Sequence, residues 1–171
     1  DYSKHLSPYP ALLFALESAL YDYQQNPLLY DTPFAHSQAP LPSYAVVDVE
    51  GYDQMLSRCK RMILKGFRHL KLRIGEGERA DVLKVIRTLR SRFSEDALKL
   101  SVDAQASFGF EAAKELLREL KPYGIHLVEQ PIRQYQWKDM AELCQMAREE
   151  GPAPIALDEE LIGVNVQAEK C

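Results

Sequence analysis

From about residue 44, short apolar runs alternate with amphipathic segments along the chain. Within each amphipathic segment the apolar positions recur every three or four residues, as on one face of a helix. The runs between them alternate apolar and polar residues, as strands do. Strict alternation with short connections predicts an α/β fold with a parallel sheet. The predicted strands cover 43–47, 69–75, 98–104, 125–131 and 153–159, and the predicted helices lie near 52–65, 79–93, 110–123 and 138–150.

The first 43 residues do not follow this pattern. They contain one helix candidate, PALLFALESALYDYQ, and then a Pro-rich connector, QNPLLYDTPFAHSQAPLPS, without clear periodicity. We therefore expect residues 1–43 to belong to a preceding domain or to its junction with the α/β part.

Composition argues against several classes of protein. The chain has 171 residues and a formal net charge of -4, whereas nucleic-acid-binding surfaces are normally basic. No apolar run approaches the roughly 20 residues that cross a membrane. The three cysteines, Cys59, Cys144 and Cys171, are too few and too scattered for a disulfide framework. We therefore expect a reducing, cytoplasmic setting, with no nucleic-acid or membrane partner.

Charged side chains share one face of the predicted strands. Successive strand residues point to opposite faces, so Lys71 and Arg73 lie opposite the apolar residues that suit packing against helices. By the same parity, Asp103, Glu129 and Asp158 point inward, each at the C-terminal end of its strand. Parallel α/β enzymes place their chemistry at that end.

Three carboxylates at one depth repel each other strongly unless a cation holds them. Oxygen ligands favour Mg²⁺ over zinc, so we predict that Asp103, Glu129 and Asp158 bind Mg²⁺. The alternative is that each acid only caps a helix or solvates a strand end. Lys71 and Arg73 have a structural alternative as well, as ion pairs with neighbouring acids.

Five segments resemble a known family: FALESALYD, GFRHLKLRIG, LSVDAQASFGFEAA, IHLVEQPIRQYQW and IALDEELIGVN. They are similar to the enolase superfamily, in its muconate-lactonizing-like subgroup, over most of residues 11–168. LVEQPIRQYQW and IALDEELIGVN are most similar to the family of o-succinylbenzoate synthases of menaquinone biosynthesis. The resemblance implies a partial (β/α)-barrel. Residues 1–43 would be the end of an N-terminal α+β capping domain with its connector, and residues 44–171 the first five βα units.

The same resemblance implies a chemistry. Mg²⁺, bound by the three acids, would hold a small-molecule carboxylate substrate and stabilise the enediolate formed when its α-proton is removed. In the synthases, the overall reaction dehydrates a hydroxy-cyclohexadiene carboxylate to o-succinylbenzoate. Lys71 and Arg73 occupy the positions of the family's proton-transfer motif.

The chain departs from the family's pattern in three ways. The Lys-x-Lys motif reads Lys71-Leu72-Arg73, and an arginine is a poor general base because it stays protonated. Arg73 would then orient or electrostatically assist the substrate carboxylate, and Lys71 would take over proton transfer. Gln105 stands where the family usually has asparagine. A further active-site lysine belongs on a strand after Asp158, and five strands are too few for a barrel of eight, so we expect an incomplete copy of a longer chain.

Three functions remain open at this point. The first is the lyase described above. The second is a dipeptide epimerase or N-acylamino-acid racemase of the same superfamily, which would use opposed lysines for a 1,1-proton transfer. The third is a catalytically inactive barrel fragment that binds metal or a partner without turnover.

Overall fold

The computed structural model describes residues 2–48, 50–151 and 153–161. These residues divide into two compact units, one ending at Pro42 and one beginning at Ser43. The first unit contains the helices α1 (Tyr2–Leu6), α2 (Pro10–Tyr23) and α3 (Pro27–Tyr30). The helix expected near its start is therefore present as α2. The assignment of this unit to a capping domain stays a prediction.

Helix α3 lies in the connector that shows no helical periodicity. Its start has a local cause, because the Asn26 side chain accepts a hydrogen bond of 2.9 Å from the amide of Leu28. Pro27 fills the first helical position, where its missing N–H costs nothing. One turn of helix is too short to produce a periodic apolar pattern, which is why the sequence did not reveal it.

The second unit alternates strands and helices throughout its described length. In chain order the elements are β1 (Ala45–Val47), α4 (Gly51–Leu64), β2 (His69–Arg73), α5 (Arg79–Arg90), β3 (Lys99–Asp103), α6 (Phe110–Leu120), β4 (Val128–Glu129), α7 (Trp137–Glu150) and β5 (Ile155–Ala156). Two short 3₁₀ helices, Lys121–Tyr123 and Glu159–Leu161, follow α6 and β5 in the described part of the chain. The five strands form one parallel sheet in the order β1-β2-β3-β4-β5, which confirms the predicted α/β fold.

The core lies between the outward face of the sheet and the helices. Leu70 and Leu72 of β2 and Leu100 of β3 are completely buried. Helix α5 presents an apolar stripe to this core, formed by Val82, Val85, Ile86 and Leu89. Truncating one such leucine to alanine typically costs about 2–5 kcal/mol, because transfer and cavity terms add. On β1 and β2, buried residues alternate with less buried ones, as the apolar parity predicts.

Strands β4 and β5 are shorter than the sequence predicts, at two residues each. Pro131 and Pro154 flank them, and a proline has no N–H to donate to a ladder. The backbone of Gln130 also turns into the left-handed region, with φ 38°. The ladder therefore ends where the chain leaves β4. No helix in the described part of the chain is long and apolar enough to cross a membrane.

Candidate active site at the carboxyl edge of the sheet

The sheet register brings four of the predicted site residues to one edge. Arg73 pairs with Asp103 across β2 and β3, and Asp103 pairs with Glu129 across β3 and β4. Glu129 in turn pairs with Ala156 of β5, two residues before Asp158. Lys71 lies one pleat deeper on β2, paired with Ser101. The parity expected from the sequence therefore places these side chains in neighbouring positions.

Lys71 and Glu129 form the most enclosed ion pair of this edge. The Lys71 ammonium donates to both carboxylate oxygens of Glu129, at 3.0 and 2.8 Å. Their side chains are only 13% and 14% exposed. The ammonium also lies 5.0 Å from the centre of the Tyr44 ring, within the range of a cation–π contact.

Burial disfavours the charged form of Lys71, but the hydrogen bonds and charge of Glu129 outweigh it. The pKa of Lys71 is consequently raised above its ordinary value, with Tyr44 contributing in the same direction. In this arrangement Lys71 is a cation and a proton donor near neutral pH.

Arg73 points toward the neighbouring strand β1 as well as toward Asp103. Its Nη1 donates to Asp48 at 2.7 Å, and its Nε lies 3.7 Å from Asp103 Oδ2. That Nε is buried and makes no hydrogen bond in the described part of the chain. The guanidinium therefore bridges two acids, a geometry for which its planar fork is suited.

Asp103 is 7% exposed, although a carboxylate is costly to bury without partners. Its Oδ1 accepts a hydrogen bond of 3.1 Å from the amide of Gln105. Its Oδ2 has Arg73 at ion-pair distance rather than a close hydrogen bond. Asp103 thus offers a nearly buried oxygen with spare coordinating capacity.

Asp158 lies just beyond β5, in the bend that leads into the 3₁₀ helix, and is exposed. Its amide donates to the side-chain oxygen of Gln130 at 3.0 Å. Within residues 2–48, 50–151 and 153–161, no three acidic, His or Cys side chains are arranged as a metal cage. The structure therefore brings Asp103 and Glu129 together but does not place Asp158 with them in a preformed cage, so the predicted triad stays a prediction.

The residues at this edge nevertheless fit a hard divalent cation. All the donors are carboxylate oxygens, which Mg²⁺ prefers. Beside Asp158, the Oε2 of Glu159 is buried and has no hydrogen-bond partner among the described residues. A cation near this edge would offset the desolvation of such oxygens. Lys71 donates to both oxygens of Glu129. When a cation binds, Glu129 would therefore exchange the Lys71 ammonium for the metal.

Two residues at this edge were missed by the sequence reasoning. Asp48 follows β1 and holds Arg73, and the rule that selected the other strand-end acids would have found it. Gln130 is completely buried and hydrogen-bonds across to the turn after β5. No sequence pattern indicates that role, because its partners lie 28 to 30 residues away.

The family model described as Enolase C-terminal domain-like matches residues 54–169. An o-succinylbenzoate synthase from Desulfotalea psychrophila is 33% identical over 161 residues, covering 93% of this chain and 43% of that protein. An N-succinylamino acid racemase from Amycolatopsis sp is 34% identical over 105 residues, covering 61% of this chain and 26% of that protein. The chain thus spans less than half the length of these two relatives.

Solved structures share the same arrangement of strands and helices. MenC from Desulfotalea psychrophila superposes with a TM-score of 0.64 at 31% identity, over 79% of this chain and 36% of that one. An o-succinylbenzoate synthase from Thermosynechococcus elongatus BP-1, solved with Mg in its active site, gives a TM-score of 0.59 at 25% identity, over 71% and 37%. The five-stranded unit therefore matches part of a larger barrel.

Proposed function

We propose a function for this chain, which belongs to the Enolase C-terminal domain-like family: the whole protein is a Mg²⁺-dependent carbon–oxygen lyase. Its substrate would be a hydroxy-cyclohexadiene carboxylate and its product o-succinylbenzoate. The similarity to the synthase of Desulfotalea psychrophila, which extends over 93% of the chain, supports this substrate class. Asp103, Glu129 and Asp158 would hold the metal.

The observation that carries the proposal is the Lys71–Glu129 pair beside Asp103. A proton-carrying group lies within 3.0 Å of an acid that can bind a cation, at the strand ends where such folds act. When bound, Mg²⁺ supplies positive charge that stabilises the enediolate of the substrate carboxylate. With Glu129 engaged by the cation, Lys71 would lose the carboxylate partner that raises its pKa, and its deprotonated Nζ would accept the α-proton.

A syn dehydration needs proton transfer on one face only. The C–H electron pair forms the new double bond, the C–O bond breaks, and the leaving hydroxide departs as water with the proton that Nζ returns. One lysine serves both steps. Arg73, held by Asp48 and Asp103, would contribute positive charge for the substrate carboxylate.

A racemase or epimerase is the second candidate, because the Amycolatopsis racemase is 34% identical over 105 residues. That reaction needs a second base on the opposite face of the substrate. A racemase or epimerase would exchange the α-proton of its substrate with solvent and would release no water.

The test uses the full-length protein with Mg²⁺. We expect o-succinylbenzoate to form from the hydroxy-cyclohexadiene precursor, to stop with EDTA and to resume with added Mg²⁺. A parallel incubation of N-succinylamino acids in D₂O follows α-deuterium incorporation by mass spectrometry. Exchange without dehydration would instead assign the racemase. Mg²⁺ binding with neither reaction would assign a metal-binding barrel without turnover.

A further inference from the structure

The Gln130 side chain ties the end of β4 to the turn after β5. It is completely buried. Its Oε1 accepts hydrogen bonds from the amides of Asp158 and Glu160, at 3.0 and 3.1 Å. Its Nε2 donates to the carbonyl of Ile132 at 3.0 Å and to Glu160 Oε2 at 3.2 Å. One side-chain amide thus uses both of its donors and accepts twice.

Glu160 extends this connection to a third segment. Its side chain is also buried, at 1% exposed. While Oε2 accepts from Gln130, Oε1 accepts from the amide of Tyr135 at 3.0 Å. The pair therefore joins the loop between β4 and α7 to the 3₁₀ helix after β5.

The sheet itself does not fix the position of Asp158. The β4–β5 pairing ends at Glu129 and Ala156, and one further backbone bond of 2.9 Å joins Gln130 N to Ala156 O. Asp158 lies two residues beyond, in a bend. The bond from its amide to Gln130 is therefore the described link between Asp158 and the strand that carries Glu129.

The backbone of Gln130 adopts an unfavourable conformation that its side-chain contacts maintain. Its φ of 38° is unfavourable for a residue with a Cβ. Such conformations cost on the order of 1–3 kcal/mol and persist where surrounding contacts over-determine them. The four hydrogen bonds of the side chain provide those contacts.

We propose that Gln130, together with Glu160, is a positioning residue: it fixes the backbone of Asp158 at the end of β5, from which the Asp158 carboxylate would join Asp103 and Glu129 in binding the metal. The inference rests on the proposed Mg²⁺ site, but not on which substrate is turned over. Partners that orient a metal ligand typically contribute a factor of about 10–100 to metal affinity.

The test measures Mg²⁺ binding to the full-length protein by isothermal titration calorimetry, with thermal unfolding recorded alongside. We expect Gln130→Met to weaken Mg²⁺ binding about 10- to 100-fold in protein that remains folded. Gln145→Met is the matched control, since Gln145 is exposed on α7 and bonds only Glu149 among the described residues. Its Mg²⁺ affinity is expected to equal that of the wild type.

A swap separates positioning from general packing. Gln130→Glu alone sets two carboxylates against each other, whereas Gln130→Glu combined with Glu160→Gln restores an amide–carboxylate bond and keeps oxygens for both turn amides. We expect the swap to recover most of the affinity that Gln130→Glu loses. This comparison also decides the matter if Gln130→Met does not fold.

Each outcome bears on a different statement. Folded Gln130→Met with wild-type Mg²⁺ affinity, or Gln130→Glu and the swap binding alike, would overturn the positioning role while leaving the metal site in place. A wild type that binds no Mg²⁺ would overturn both. A wild type that binds Mg²⁺ but forms no o-succinylbenzoate would overturn the proposed reaction alone.

Discussion

The ammonium of Lys71 lies 3.0 and 2.8 Å from the two carboxylate oxygens of Glu129. The two residues are 58 positions apart in sequence, and each comes from a different strand of the parallel sheet. The pair joins the proposed proton carrier directly to a proposed metal ligand. A change at Lys71 should therefore separate effects on proton transfer from effects on metal binding.

We expect Lys71→Met to lower kcat by about 10²–10⁴-fold, because a general acid–base group contributes on that order. Mg²⁺ affinity should stay the same or increase, since Glu129 loses its competing cation. Steady-state kinetics and calorimetry measure the two effects. Lys99→Met is the control: Lys99 begins β3 on the same face but is exposed. Wild-type kcat in Lys71→Met would exclude Lys71 as the proton carrier.

Arg73→Lys tests which residue of the Lys-x-Arg motif transfers the proton. A lysine cannot donate to Asp48 and remain beside Asp103 at once, as the guanidinium does. With Lys71 as the base, we expect kcat to remain unchanged or to fall. Arg92→Lys, at an exposed position, should be neutral. A kcat increase of about tenfold or more would move the base to position 73.

Parity and strand-end position placed four of the predicted residues at this edge of the sheet but missed Asp48 and Gln130. Lys71, Arg73, Asp103 and Glu129 follow from a period of two, which any half-buried strand imposes. The resemblance to the enolase superfamily predicted a partial barrel, and the family match and the solved structures confirm this prediction.

The side-chain pairing could not be predicted in the same way. Arg73 bonds Asp48, the residue after β1, and β1 is a strand of three residues that is too short to give a clear alternating pattern. Gln130 acts through a left-handed backbone conformation and bonds to residues 28 and 30 positions away. Such contacts depend on how two loops meet, which local periodicity does not encode.

Cys59 should resist thiol reagents in the native protein. It is completely buried on α4, and burial raises its pKa to about 12, whereas the thiolate is the reactive form. We expect iodoacetamide at pH 8 to modify Cys144, which is only partly buried, faster than Cys59. Peptide mapping by mass spectrometry measures both rates. Equal rates in folded protein would contradict the burial of Cys59.

The same shift gives Cys59 a pH-dependent contribution to stability. A raised folded-state pKa means that the folded protein holds the proton more tightly than the unfolded chain. The contribution is therefore complete below the unfolded pKa of about 8.5 and is lost as pH rises from there toward the folded value. Urea unfolding should show a steeper loss of free energy between about pH 8 and 10 for wild type than for Cys59→Ala. Parallel pH profiles would count against this assignment.

The metal ligands are tested by removing one carboxylate at a time. Asp103→Ala and Asp158→Ala should each abolish measurable Mg²⁺ binding and leave the fold largely intact, because neither side chain belongs to the apolar core. Since a ligand that binds only folded protein stabilises it by about 2.7 kcal/mol at 100 times its Kd, Mg²⁺ should raise the Tm of wild type but not of these variants. Asp96→Ala is the matched control, because Asp96 is exposed in the turn before β3. A Mg²⁺-induced rise in Tm that survives in both Asp103→Ala and Asp158→Ala would remove these two acids from the metal site.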